Sequence, residues 1–241
     1  MKRTTISVAV LLFVSLAACK KDNDKKATCR ISTITQTSSG DNTIQNITYN
    51  NDGRISTMTT SGDFGSTKVF TYNGNTVIVI TTGNDGDFNS RDSITLDAKR
   101  KPLNIRQFHN EDGDNWTNYS FEYNGDDLQK FHQTNENGTS PQTSVATYQN
   151  GNMMSLQTGN GTATLEYFTD KKVQPGDYLE LASLIQYGVS VYPHKNLVKT
   201  IAEGSTILNF NYEFNADGTI SKVTATSGGT VSSLTYQYQC N

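Results

Sequence analysis

The sequence lacks most of the features by which common functions announce themselves. Basic residues are not in excess, 20 Lys and Arg standing against 23 Asp and Glu, so the basic footprint of a nucleic-acid binder is missing. Hydrophobic residues make up only 34% of the chain, and no apolar run approaches the roughly 20 residues of a transmembrane helix. There are three His, three Cys and one Trp. No Cys-x-x-Cys, His-Glu-x-x-His, Walker loop, dinucleotide glycine fingerprint or nucleophile elbow occurs, which removes the usual signatures of zinc, nucleotide and acyl-transfer chemistry.

What the chain does have is Tyr, Phe, Thr, Asn and Gly, the β-formers and turn-formers of two-faced sheets. They are ordered as a repeat. Eight apolar-polar-apolar triplets align: Ile47-Thr48-Tyr49, Phe70-Thr71-Tyr72, Ile94-Thr95-Leu96, Phe121-Glu122-Tyr123, Ala146-Thr147-Tyr148, Leu165-Glu166-Tyr167, Tyr212-Glu213-Phe214 and Tyr236-Gln237-Tyr238. Successive strand side chains point to opposite faces, so the outer members are expected in a core and the middle ones in water. Turns such as Asn51-Asp52-Gly53, Asn73-Gly74, Asn124-Gly125 and Asn150-Gly151 follow, with residues that accept positive φ. An apolar residue then opens each return strand: Ile55, Val77, Leu128, Met153 or Ile220.

The triplets end 23, 24, 27, 25 and 19 residues apart from Tyr49 to Tyr167, then 47 to Phe214 and 24 to Tyr238. The long gap holds residues 171–200, where the alternation stops and Tyr178, Leu181 and Ile185 share a helical face. The expected fold is all-β: a large antiparallel meander of hairpins, about fourteen or more strands, curled into a soluble barrel or open roll. One short helix near residues 177–187 is expected to plug the lumen or cover a sheet edge. The face opposite the aromatics carries Thr, Glu, Gln, Ser and Asn, not the apolar band of transmembrane strands.

The first residues carry an address. Lys2 and Arg3 precede an apolar run from Ile6 to Leu16, and Leu16-Ala17-Ala18-Cys19 follows, the layout of an export signal. The Leu-Ala-Ala-Cys stretch resembles a bacterial lipobox, which implies cleavage after residue 18 and acylation of Cys19; an ordinary secretory signal with an incidental cysteine is the alternative. Residues 19–27 are polar and charged and read as a lipidated flexible tether, leaving 28–241 as the hairpin domain. Removal of 1–18 takes Lys2 and Arg3 and no acid, leaving 18 basic and 23 acidic residues, net −5. Residue 20 is Lys, not the Asp that resemblance to inner-membrane lipoproteins would require, so an outer-membrane lipoprotein is expected, on the periplasmic or surface face. Membrane contact is expected through the lipid alone, and the domain is expected to be monomeric.

Cys29 and Cys240 then remain, near the two ends of the domain, and an oxidising compartment would join them; two separate small buried residues are the alternative. Among candidate site residues, His109 and His132 each follow a Phe 23 residues apart, so equivalent strands would set two imidazoles side by side as partial metal or ligand contacts. Asp85 and Asp87, with Asp112 and Asp114, lie in two similar oxygen-rich loops that offer a Ca²⁺ site, although hairpin turns need the same residues. Trp116 in a polar loop offers a ring for a sugar to stack on, against packing on a neighbouring strand. Glu122, Glu166 and Glu213 suggest paired carboxylates, but they hold the polar middle of the repeat.

Tyr49-Asn50-Asn51-Asp52-Gly53-Arg54-Ile55 and Phe214-Asn215-Ala216-Asp217-Gly218-Thr219-Ile220 are similar to the tyrosine-aspartate hairpin repeats of Rhs-type shells. The mature chain as a whole, with its lipobox, aromatic hairpins and the segment Tyr192-Pro193-His194-Lys195-Asn196-Leu197, resembles uncharacterised Bacteroidetes lipoproteins of a domain family with a porin-like β fold. That resemblance implies fold and address, and no activity. The functional expectation is a non-enzymatic binding or scaffold lipoprotein for glycan or peptide, without a cofactor. The alternatives are a carrier of an apolar molecule in the lumen and an envelope hydrolase.

Overall fold

The structure is a computed structural model that describes residues 29–38, 41–62, 65–138 and 141–240. The expected signal peptide at 1–18, Cys19 and the expected tether at 19–27 lie outside the described residues. Strands β1 (Cys29–Ser38), β2 (Asp41–Tyr49), β3 (Ile55–Thr60), β4 (Ser66–Asn73), β5 (Thr76–Gly83) and β6 (Phe88–Leu96) open the chain. Next come β7 (Pro102–Phe108), β8 (Trp116–Asn124), β9 (Asp127–Asn135), β10 (Gln142–Gln149), β11 (Asn152–Thr158) and β12 (Gly161–Lys172). Helix α1 (Tyr178–Tyr187) interrupts the series before β13 (Asn196–Glu203), β14 (Thr206–Phe214), β15 (Ile220–Ser227) and β16 (Thr230–Cys240).

Each strand pairs antiparallel with its chain neighbours, and β1 pairs with β16, so the sheet is a closed barrel of 16 strands. The connections therefore alternate between two ends. The near rim carries the start of β1, the end of β16, the turns that follow the triplets and the segment with α1; the far rim carries the other turns. Cys29 and Cys240 are cross-strand partners at the near rim and form a disulfide.

Inward and outward sides follow the triplets. Thr71, Thr147 and Glu213 are exposed, whereas Phe70, Ala146 and Tyr212 are buried and Tyr72 and Tyr148 half-buried. The outer face is lined by hydroxyls that bond across strands, as in Thr48 with Thr57 at 2.6 Å and Thr147 with Ser155 at 2.7 Å. Phe214 departs from the expectation, being 39% exposed.

Simple alternation also fails in the return strands, for a physical reason. At every triplet except Phe70-Thr71-Tyr72 the register shifts between the middle and last member. Each shift is a β-bulge, which lifts one residue of the partner strand out of the ladder and advances the pleat by one. Inward residues there are spaced by three, as in the buried pairs Ile31 and Ile34, Ile55 and Met58, and Ile220 and Val223. In β5, which pairs with β4 without a shift, Val77 and Val79 keep the spacing of two.

The bulges explain why so many triplets end in Tyr. Tyr49 donates its hydroxyl to the Ile31 carbonyl at 2.7 Å, Tyr123 to Pro102 at 2.9 Å, Tyr167 to Met153 at 2.9 Å and Tyr238 to Ile220 at 2.7 Å. In all four cases the acceptor is the residue just before a bulge. The ring fills the core while its tip caps a carbonyl at the break in the ladder, which a buried polar group requires.

Candidate functional site at the plugged rim

The segment 173–195 between β12 and β13 turns into the near rim. It is shorter than the interval 171–200 expected from the sequence, because β12 runs on to Lys172 and β13 starts at Asn196. Pro175-Gly176 ends the strand direction, and Asp177 caps α1 by accepting from the amides of Leu179 and Glu180 at 3.1 Å, the usual role of Asp at this position. Gly188 closes the helix in the left-handed conformation, φ 69°, with its amide on the Leu184 carbonyl. A Cβ at Gly188 would lie 2.8 Å from Phe70 and the Tyr72 hydroxyl, and one at Gly176 2.9 Å from the Tyr236 ring. The two ends of the segment thus seat against different walls of the barrel, β4 on one side and β15–β16 on the other.

Asp177 is the centre of that seat. Its carboxylate is fully buried. Besides the two helix amides, it accepts from His194 Nε2 at 2.8 Å, the Val198 amide at 3.1 Å and the Tyr212 hydroxyl at 3.1 Å. His194 Nδ1 faces the Tyr192 carbonyl at 2.8 Å. Both ring nitrogens therefore meet acceptors, which requires a proton on each. Burial by itself would push the Asp177 carboxyl up, but His194 and the backbone amides outweigh it and hold it below the ordinary carboxylate value. Burial likewise opposes the charged His194, and Asp177 raises it above the ordinary imidazole value.

Between α1 and the wall of β1–β3 lies a cleft of about 380 Å³, lined by Ile31, Ile47, Tyr49, Ile55, Leu181 and Leu184. Leu181 and Ser183 are the buried helix positions, while Tyr178 and Ile185, expected on the same face as Leu181, are half-buried. Arg30 and Arg54 stand at the cleft. Arg54 is tied to Asp52 and lies over the Tyr72 ring at 4.0 Å. Arg30 stacks 5.6 Å from the Tyr49 ring and makes no salt bridge among the described residues. A Cβ on Gly53 would collide with the Arg30 guanidinium, so the turn glycine is what lets that side chain lie there.

A second polar group faces the inside deeper down. Lys68 Nζ donates to the Ile185 carbonyl near the end of α1 at 3.3 Å, and Asp92 is buried with Oδ1 unpartnered. Burial raises the Asp92 carboxyl to about 6 despite the nearby Lys68 and Gln107.

The residues singled out from the sequence are spread over the molecule. His109 lies at the far rim, where Nε2 meets Thr117 Oγ1 at 3.0 Å. His132 sits on the outer face between Glu122 and Thr143, both at 2.9 Å. The two imidazoles are not side by side: their partners on β8 and its preceding turn, Asn115 and Ser120, are separated by about 16 Å of extended chain. The repeat in spacing was offset by the longer turn before β8. Asp85 and Asp87 close their own turn, with the Asp87 amide on Asp85. Asp112 and Asp114 lie in the next far-rim turn, where Asp114 accepts from Asn110. Among the described residues, no group of three or more His, Cys, Asp and Glu is placed to hold a metal ion. Trp116 lies on the outer wall with the Arg106 guanidinium over its ring at 4.1 Å. Glu122, Glu166 and Glu213 pair with His132, Lys199 and Lys222 on the solvated face.

Sequence reasoning missed Asp177 with His194, and Arg30. Asp177 was legible as a cap, standing directly before an amphipathic run; its other partners are 17 to 35 residues away.

No family model matches the chain, and no curated protein matches its sequence. Solved structures do match in fold. A porin-like protein from Bacteroides uniformis superposes with a TM-score of 0.64 at 15% identity, covering 87% of this chain and 98% of that one. A porin-like protein from Bacteroides vulgatus gives 0.54 at 12% identity, covering 88% and 99%. At this identity the likeness establishes the porin-like barrel; neither neighbour is described as an Rhs-type shell.

Proposed function

We propose that the protein is an outer-membrane-anchored lipoprotein, held by acylated Cys19, whose barrel is a non-enzymatic, monomeric binding module. Its ligand is an amphipathic molecule with an apolar body and an acidic group. The observation that carries this reading is the apolar cleft between α1 and β1–β3, with at its edge the Arg30 guanidinium, which has no salt bridge among the described residues. An apolar enclosure with a few placed polar groups is the general form of a small-molecule site, and a guanidinium suits a carboxylate or phosphate.

The anchor reading is supported by Leu16-Ala17-Ala18-Cys19 and by an outer wall dominated by Thr, Ser, Asn and Glu, which offers lipid no continuous apolar band. This ligand class modifies the lumen-carrier expectation, because α1 and the residues after it, including Val189 and Val191, belong to the core and occupy the near half of the barrel. Sugar stacking on Trp116 has less support, one face of that ring being covered by Arg106. The hydrolase alternative called for a cleft gathering His109, His132 and the acidic pairs, and these lie at separate places.

The test is titration of the purified lipoprotein with a fluorescent long-chain fatty acid. Saturable binding is expected, weakened about tenfold by Arg30→Gln, the loss of one charged hydrogen bond. Absence of saturable binding, or equal affinity in wild type and variant, would sink the reading.

A further inference from the structure

The near rim differs from the far rim in charge and in surface chemistry. Around the ends of β12 to β14, Lys171, Lys172 and Lys195 make no salt bridge among the described residues. Lys171 lies 4.5 Å from the Phe168 ring and 5.5 Å from that of Phe214, the exposed aromatic that departs from the inward pattern. Of the near-rim acids, Asp52 is compensated by Arg54, and Asp97 and Asp126 by Lys101 and Lys99, while Asp170 is exposed beside Lys171 and offsets one charge of the lysine patch. The far-rim turns, in contrast, expose Asp85, Asp87, Glu111, Asp112 and Asp114. The barrel is thus acidic at one end and, at the other, bears three ammonium groups without salt bridges among the described residues, beside the exposed Phe214.

The chain also enters at the near rim. Ten residue steps separate Cys19 from Cys29, so an acyl group on Cys19 can lie no more than about 35 Å from that rim. The disulfide to Cys240 holds β1 there.

We infer that the near rim is a membrane-docking surface: the barrel stands on an anionic bilayer with Phe214 at the interface and Lys171, Lys172 and Lys195 on lipid phosphates, its acidic far rim outward. Aromatic rings and lysines whose stems lie on apolar surface are suited to the boundary between headgroups and acyl chains. An anionic surface attracts such a patch and repels the opposite rim, which orients the molecule. The inference rests on the lipid-anchor reading, replaces the expectation of membrane contact through the lipid alone, and adds an orientation: the cleft at Arg30 then opens toward the bilayer, a source of acyl ligands.

Trp116, the one tryptophan of the chain, lies at the far rim and serves as a reporter. The full lipidated protein is reconstituted in vesicles of phosphatidylglycerol and phosphatidylcholine containing bromine-labelled lipid, alongside a Phe214→Trp variant in a Trp116→Phe background. The position 214 reporter should be quenched about threefold or more while Trp116 is unaffected, and the quenching should fall in phosphatidylcholine alone. Lys171→Gln, Lys172→Gln and Lys195→Gln together should reduce it while the protein still sediments with the vesicles. Protein that sediments but shows no quenching at 214, or equal quenching at both positions, overturns the docking and leaves the anchor intact. Protein that fails to sediment overturns both. Far-ultraviolet circular dichroism of the variants checks that the barrel is formed.

Discussion

Individual tyrosines differ in what their hydroxyls do, and that difference can be measured. Tyr123 caps the Pro102 carbonyl, so Tyr123→Phe should leave a buried acceptor unmet and cost about 1–2 kcal/mol. Tyr72 occupies the corresponding place in its own triplet, but its buried hydroxyl has no partner among the described residues. Tyr72→Phe should therefore change stability by less than about 0.5 kcal/mol; paired urea titrations would show equal losses if the cap contributed nothing. Asp92 gives a second prediction at this scale. Its folded value of about 6 lies above its unfolded one, so the folded state holds the proton more tightly and stability falls as pH rises from about 4 through 6. Asp92→Asn removes that dependence and should be the more stable form at pH 8, by about 1–3 kcal/mol, as read from denaturation at pH 5 and pH 8.

At the scale of elements, α1 is held less by its own ten residues than by the partners of its cap. Asp177 is depressed and His194 raised. The contribution of Asp177 is present above its unfolded value and lost on acidification through its folded one. That of His194 is complete below about 6.5 and lost as pH rises through its folded value. The pair therefore contributes most between about pH 4 and 6.5. His194→Gln removes one partner of a buried pair and should cost about 3–5 kcal/mol in that window, with the melting-temperature gap to wild type narrowing above pH 7. A gap independent of pH would mean that the imidazole is neutral. The helix was legible from Tyr178, Leu181 and Ile185, and its start from Asp177; the bulged return strands were not. A bulge shifts inward spacing from two to three, as at Ile55 and Met58, and short apolar pairs at that spacing carry no distinct signal in a linear sequence.

For the whole molecule, closure depends on β1 meeting β16, strands from opposite ends of the domain. The disulfide there spans 211 positions, and a loop of that size loses conformational entropy worth about 5 kcal/mol when closed, of which about 2–5 kcal/mol is usually realised. Reduction, or Cys29→Ala with Cys240→Ala, should lower the melting temperature accordingly without altering the circular dichroism of the folded barrel. Unchanged stability in reductant would show that strand pairing suffices to hold the seam.

Read alone, the sequence determined the local physics: which residues alternate, where turns reverse the chain, where one helix replaces a strand pair, and that two cysteines lie at the domain's ends. Those properties depend on neighbours a few residues apart. Tertiary structure alone decided that sixteen strands close into a ring, that the helix lies inside its near rim with Asp177 on His194 and Tyr212, and that Phe214 is left exposed at that rim. It also separated His109 from His132 and set Arg30 beside an apolar cleft. Each of these depends on strand register and on which wall a loop reaches, and such distances accumulate over tens of residues with a bulge at nearly every turn.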